Sequence, residues 1–73
     1  MQLKRFLTLE EEADLRIALD RLGCTQKDIA HSLGVHPATM RGYISRGIRL
    51  DDAMLDSIWG VLREVKPNIR EEV

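Results

Sequence analysis

The side chains that could hold a charged ligand are concentrated in the middle of this chain. They are the four basic residues of positions 26–49: Lys27, Arg41, Arg46 and Arg49. Asp28 is the one acidic residue there, so this stretch has a net charge of +3, whereas positions 1–25 and 50–73 have −1 and −3. A basic stretch between acidic ends is typical of a surface that binds a polyanion such as a nucleic acid.

Other reactive side chains are too sparse for catalysis or metal binding. His31 and His36 are five residues apart, so they do not share a helix face, and nothing nearby completes a tetrahedral metal site. Asp28, His31 and Ser32 have the residue types of an acyl-transfer triad, but one short helix cannot give them its geometry. The sequence therefore predicts a protein that is not an enzyme, with no catalytic residue, metal, cofactor or small-molecule substrate.

Composition indicates a single globular domain. Apolar residues make up 44% of the chain and charged residues 32%, which is ordinary for such a domain. No apolar run approaches the roughly 18–20 residues that span a bilayer, and the N-terminus lacks the apolar stretch of a signal peptide. The single cysteine, Cys24, cannot form an internal disulfide. We expect a cytoplasmic protein without a membrane contact, with Cys24 half-buried in a turn.

Apolar periodicity and capping residues predict that four helices carry these side chains. Threonine and aspartate are good N-caps, proline suits a first turn, and glycine readily takes the left-handed conformation that ends a helix. The predicted bounds run from Thr8 to Gly23, from Thr25 to Gly34, from His36 to Gly47, and from Asp51 or Asp52 to Pro67. Gly42, inside the third helix, is an oddity that costs roughly 1 kcal/mol relative to alanine.

Each predicted helix has an apolar face at i, i+3, i+4 spacing, and these faces define the expected core. Its members are Leu15, Ala18, Leu19, Leu22, Ile29, Ala30, Leu33, Val35, Met40, Tyr43, Ile44, Leu55, Ile58, Trp59, Leu62 and Val65. Around this core we expect an N-terminal arm over 1–7, a helical domain over 8–66 and a flexible tail over 67–73. The arm is either stapled to the bundle through Phe6 and Leu7 or mobile and available to a partner.

The second and third helices are joined by so short a turn that they must cross closely at a steep angle. A close crossing needs a small residue, which Ala30 supplies, and the turn needs a residue free to take a positive φ, which Gly34 supplies. Val35 and Met40 provide apolar anchors one and six residues after that glycine. This pattern predicts a helix-turn-helix from about Thr25 to Arg46.

Four short motifs carry a resemblance to a known family. They are Leu-Gly-Cys-Thr-Gln at 22–26, Ile-Ala at 29–30, Leu-Gly-Val at 33–35 and Met-Arg-Gly-Tyr-Ile at 40–44. They resemble the DNA-binding domains of the lambda repressor and Cro-like family over about residues 8–65. The resemblance implies an all-α fold, a compact four- to five-helix bundle containing a helix-turn-helix, with the third helix presented outward.

The resemblance also implies a set of nucleic-acid-binding residues. Base-facing positions would be His36, Pro37, Ala38, Arg41, Gly42 and Ser45. Phosphate contacts would come from Thr25, Gln26, Lys27, Arg46 and Arg49. Only His36, Arg41 and Ser45 have side chains that can read base edges, and Arg41 is the best of them because a bidentate arginine–guanine contact is worth roughly 1–3 kcal/mol of discrimination.

The implied function is that of a phage- or prophage-type transcription regulator, such as a repressor. It would bind duplex operator DNA as a homodimer through residues 36–46. The third helix has few side chains that can read base edges, and the chain as a whole is slightly acidic. Both features keep a second interpretation open. Small phage-encoded regulators that bind host bacterial RNA polymerase are similar in type and size, and here the contact surface would comprise Lys4, Arg5 and Phe6 together with the arginines of the basic stretch.

Overall fold

Four α-helices form the regular structure of residues 3–65, the part of the chain described by this computed structural model. They are α1 (Leu9–Leu22), α2 (Gln26–Leu33), α3 (Pro37–Ile44) and α4 (Asp52–Glu64). The predicted helical class is confirmed, and the number of helices in this region is four. The stop at Pro67 and the predicted tail lie outside the described residues. None of the four helices combines the length and apolarity needed to cross a membrane.

Side-chain caps start the helices where the sequence predicts them. At α1, Thr8 Oγ1 accepts the Glu11 N–H at 3.0 Å and Glu11 Oε1 accepts the Thr8 N–H at 2.9 Å. Thr25 and Asp28 repeat this reciprocal arrangement at α2, at 3.1 and 3.0 Å. At α4 the cap is Asp51, which accepts an N–H of the first turn at 2.8 Å. These bonds satisfy backbone donors that a helix start otherwise leaves without partners.

The ends of the first three helices follow the glycine rule with one exception. Gly23 and Gly34 take the left-handed conformation after α1 and α2, with φ of 64° and 69°. After α3 the prediction that Gly47 closes the helix is wrong, because α3 ends at Ile44 with Ser45 as its C-cap, and the positive φ that follows, 66°, belongs to Arg46. The N–H of Gly47 instead donates to the Gly42 carbonyl at 2.8 Å. A residue with a Cβ pays about 1 kcal/mol for this conformation.

The core takes side chains from all four helices and from two segments outside them. The buried apolar residues are Leu7, Leu15, Leu19, Ile29, Ala30, Met40, Ile44, Leu50, Leu55, Ile58 and Leu62. Helix α2 packs against both α3 and α4, while α1 contacts α4. Tyr43 and Trp59 are half-buried against this core. Helix α3 is therefore held on one side, and its position depends on α2.

Residues 3–7, here called the arm, are fastened to the bundle. Arg5 and Leu50 exchange two backbone hydrogen bonds of 2.8 Å in an antiparallel bridge, and Leu7 is buried. The Arg5 guanidinium donates to both carboxylate oxygens of Glu11, at 2.7 and 2.9 Å, and to Asp52 at 3.1 Å. These contacts tie the arm to the first turns of α1 and α4.

The Arg5–Glu11 pair makes the stability of the fold depend on pH. Hydrogen bonds from Arg5, then from the Thr8 backbone, lower the pKa of Glu11 from its ordinary value of 4.5 to about 2. Because the folded-state pKa is the lower one, the ionised carboxylate stabilises the fold above about pH 4.5, and this contribution is lost as the pH falls toward 2. We expect Glu11→Gln to lower the melting temperature near pH 7 by roughly 4 °C and to flatten its decline in acid.

Thermal melts followed by circular dichroism from neutral pH down to pH 2 measure this effect. Glutamine can still accept the Thr8 N–H, so the substitution removes the charge and keeps the cap. Glu10→Gln in the same turn is the matched control, because Glu10 is exposed. Asp28 also has a lowered pKa, through its bond with the Thr25 backbone, and both variants retain that contribution. Parallel curves for the two variants would contradict the assignment.

Candidate nucleic-acid interface

Helices α2 and α3 are held close together by a three-residue connection. Ala30 is 0% exposed in the middle of α2, and its carbonyl accepts the Val35 N–H at 2.9 Å. Gly34, at the end of α2, turns the chain through its positive φ. Met40 and Ile44 bury one face of α3. The opposite face of α3 is consequently turned away from the core.

The outward face of α3 carries four of the six positions that the family resemblance implies for base contact. His36, Ala38, Arg41 and Ser45 are all exposed, and the last three recur at i, i+3, i+7 spacing along one side. His36 caps α3, because its Nδ1 accepts the Ala38 N–H at 3.0 Å. That bond places the proton of the neutral ring on Nε2, which leaves Nε2–H as the donor available to a ligand.

A groove of about 350 Å³ lies where the first turn of α2 meets the first turns of α3. It is lined by Thr25, Gln26, Lys27, Pro37 and Arg41. The structure thus brings together the three predicted residues of α2 and the best predicted base reader. Two cationic side chains and a helix N-terminus with its positive dipole end make the groove suited to an anion.

Gly42 lies on α3 but is not open to a ligand in the way the sequence suggests. A Cβ added there would lie 2.6 Å from Cγ1 and 3.3 Å from Cβ of Ile48, which folds back across the helix. The amide of Ile48 also donates to the Gly42 carbonyl at 3.1 Å. The glycine therefore has a packing reason: it admits the chain that returns from α3 toward α4.

Arg46 and Arg49 are engaged with other parts of the molecule. Arg46 Nε lies 3.6 Å from Glu12 Oε1 on α1. The Arg49 guanidinium lies over the Phe6 ring, 5.7 Å from its centroid, at a distance where the ring face attracts a cation. Sequence reasoning grouped these two arginines with Arg41, but their contacts belong to α1 and the arm. Lys27 is the cation that accompanies Arg41 in the groove.

The residues assigned to the arm surface have different environments. Lys4 is exposed and Phe6 is 49% exposed. Arg5 is occupied by two carboxylates, so its charge is largely compensated. Sequence reasoning missed Glu12 and its neighbour Arg16, whose Nε donates to Glu12 Oε2 at 2.9 Å. Their i, i+4 spacing was the available signal for that pair, but the approach of Arg46 has no local signal.

Within residues 3–65, the side chains of Asp28, His31 and Ser32 lie beside one groove but are not hydrogen-bonded to one another. This second groove of about 480 Å³ is lined by Lys27, Asp28, His31, Ser32 and Pro37. The Asp28 carboxylate there accepts the Thr25 N–H as part of the cap, and no hydrogen bond within residues 3–65 joins it to His31 or Ser32. In the same part of the chain, no three metal-ligating side chains come together. Burial raises the pKa of the half-buried Cys24 thiol.

No family profile, curated protein or solved structure matches the chain. The features of the molecule that bear on its function are therefore the exposed face of α3, the groove beside it and the distribution of charge around both.

Proposed function

We propose that this chain is a transcription regulator that binds duplex DNA, with α2 and α3 acting as a helix-turn-helix of the lambda repressor and Cro-like type. The observation that carries the proposal is the pairing of Arg41 with Lys27 in one groove at the outer face of α3. In this arrangement α3 enters the major groove, where its exposed side chains reach base edges, while α2 lies across the backbone.

The side chains divide between reading and positioning. Arg41 presents a planar fork of donors that matches the O6 and N7 acceptors of guanine. His36 Nε2–H and the Ser45 hydroxyl, at the two ends of α3, are smaller additional donors or acceptors. Lys27, with Thr25 and Gln26 at the start of α2, contacts phosphate, which fixes register without carrying sequence information. Two copies on a two-fold operator would double this small reading surface.

Fluorescence anisotropy with a labelled duplex of random sequence tests the proposal directly. We expect binding at low salt, and a non-specific dissociation constant of about 10⁻⁴ to 10⁻⁶ M at physiological salt. Sequence selection from a random pool should then enrich a short site with tighter binding. Lys27→Ala should weaken binding to all sequences equally and reduce the salt dependence by about one phosphate contact. Absence of binding at low salt would remove the proposal.

A protein partner is the second candidate, and the exposed apolar side chains of the arm favour it. Leu3 is 81% exposed and Phe6 is 49% exposed, and the exposed Lys4 lies between them in the arm. The Arg49 guanidinium lies over the Phe6 ring. Aromatic residues and arginine are enriched at protein–protein interfaces relative to the rest of the surface. In this alternative the arm docks on bacterial RNA polymerase and the protein regulates transcription through that contact.

An NMR titration of labelled protein distinguishes the two candidates. Duplex DNA should perturb amides of α3 and of residues 25–27 while the arm is unchanged. RNA polymerase should perturb residues 3–6 and 49 if the second candidate is correct. A response of α3 to DNA together with no response of the arm to polymerase would support DNA binding alone.

A further inference from the structure

Arg46 occupies a backbone position that would suit a glycine better. Its φ is 66°, in the left-handed region, and the next residue in the chain is Gly47. Non-glycine residues held in this region carry strain, and such strain collects at positions with a functional constraint. The benefit of the arginine side chain must therefore be sought in what its guanidinium reaches.

The guanidinium of Arg46 reaches a carboxylate that already has a partner. Glu12 Oε1 lies 3.6 Å from Arg46 Nε, while Glu12 Oε2 accepts a hydrogen bond from Arg16 Nε at 2.9 Å. The Arg46 side chain is 35% exposed and that of Arg16 is 49% exposed. A long, partly hydrated pair of this kind contributes little to stability.

The other ion-pair cluster of the described chain has the opposite balance. There one guanidinium, Arg5, is held by two carboxylates, with a bidentate contact to Glu11 at 2.7 and 2.9 Å. At Glu12 two guanidiniums share one carboxylate, so a positive charge is left over. The contacts of Arg5 fix the arm to the bundle, whereas the cluster at Glu12 holds two arginines around a single carboxylate.

We propose that Arg16, Glu12 and Arg46, here called the Glu12 triad, form a phosphate-binding site. In it Glu12 keeps the two guanidiniums together until a phosphodiester replaces its carboxylate. The two non-ester oxygens of a phosphodiester can take the places of the two carboxylate oxygens, each accepting from one arginine. This assignment rests on the proposed function for the source of the phosphate, which is the DNA backbone beside α3. Glu12 then acts as an internal competitor that restrains affinity.

Replacing Glu12 tests the competition, with a control that matches its charge. Glu12→Gln retains an oxygen for Arg16 and removes the negative charge, and Glu10→Gln makes the same change on an exposed residue of the same turn. We expect Glu12→Gln to tighten duplex binding about fivefold and to steepen its salt dependence by about one phosphate contact. Glu10→Gln should change affinity less than twofold, and Arg46→Gly in the Glu12→Gln background should abolish the gain. Equal effects of Glu12→Gln and Glu10→Gln would overturn the proposal.

The single variant Arg46→Gly separates binding from folding. Glycine takes the left-handed conformation without strain, so we expect the melting temperature of this variant to be unchanged or higher while duplex binding weakens. A clear fall in melting temperature would mean that Arg46 is retained for structure, and the triad would lose its assignment.

Inorganic phosphate provides a readout that does not need DNA. In Glu12→Gln, phosphate should shift the side-chain Nε–H signals of Arg16 and Arg46 in an NMR titration, and more strongly than in Glu10→Gln. If phosphate produces these shifts but the wild type binds no duplex, the proposed function fails and the anion site stands. If the duplex binds but neither Nε–H responds to phosphate, the triad fails and the proposed function stands.

Discussion

Ala30→Leu should destabilise the protein more than any surface substitution, lowering the free energy of unfolding by about 2–3 kcal/mol. Ala30 is 0% exposed on a helix that packs against both α3 and α4, so the added carbons have no free volume to enter. A domain of this length has a total stability of roughly 4–10 kcal/mol, and the variant should melt about 10 °C or more below the wild type. Thermal and urea unfolding followed by circular dichroism measure both quantities.

Ala13→Leu is the matched control for this experiment. Ala13 is exposed on α1, so the same side-chain change there should alter stability by no more than about 0.5 kcal/mol. If Ala30→Leu were as stable as Ala13→Leu, α2 would not lie close enough to its neighbours to need a small residue. The position of α3, and with it the candidate interface, would then lack its physical basis.

Local signals predicted most of the helical structure. The start of α1 at Thr8 and that of α2 at Thr25 depend on side chains three residues away, and Gly23 and Gly34 end helices through their own conformational freedom. Such interactions lie within one turn of the chain, so residue type and spacing are sufficient to identify them.

Contacts between segments that are far apart in the chain could not be predicted from these local patterns. Leu50 is 2% exposed although it lies in the connection between α3 and α4, where no periodic pattern marks it as apolar core. Its burial accompanies the backbone bridge to Arg5, forty-five residues away in the chain. The same limit applies to Arg46. Its positive φ lies in the segment that returns across Gly42 and brings Ile48 over that glycine, and no local pattern marks it.

Only the part of the candidate site that lies on helices could be predicted from the sequence. Arg41 and Lys27 lie on helices whose faces can be read from spacing, and they line one groove. Arg46 and Arg49 follow α3, where side-chain direction depends on the path of the chain, and their partners Glu12 and Phe6 come from the first twelve residues. A charge pattern along the sequence therefore identified the basic residues but not which of them share a surface.

Arg41→Ala should remove sequence preference from DNA binding. Arg41 is exposed on α3 and lines the groove with Lys27, so it is the side chain best placed to reach a guanine beside a phosphate contact. Losing a bidentate contact costs roughly 1–3 kcal/mol of discrimination, equivalent to about a 5- to 150-fold loss of preference for the selected site over a random duplex. Anisotropy titrations with the two duplexes at one salt concentration measure the ratio.

Arg41→Lys separates the two properties that Arg41→Ala removes together. Lysine keeps the charge but lacks the planar fork, so we expect affinity for random duplex to remain near that of the wild type while preference for the selected site falls. Arg63→Ala, an exposed arginine in the last turn of α4, should leave the ratio unchanged because Arg63 does not line the groove. If Arg41→Lys kept the full preference, Arg41 would act only through its charge, and α3 would position the protein on DNA without reading it.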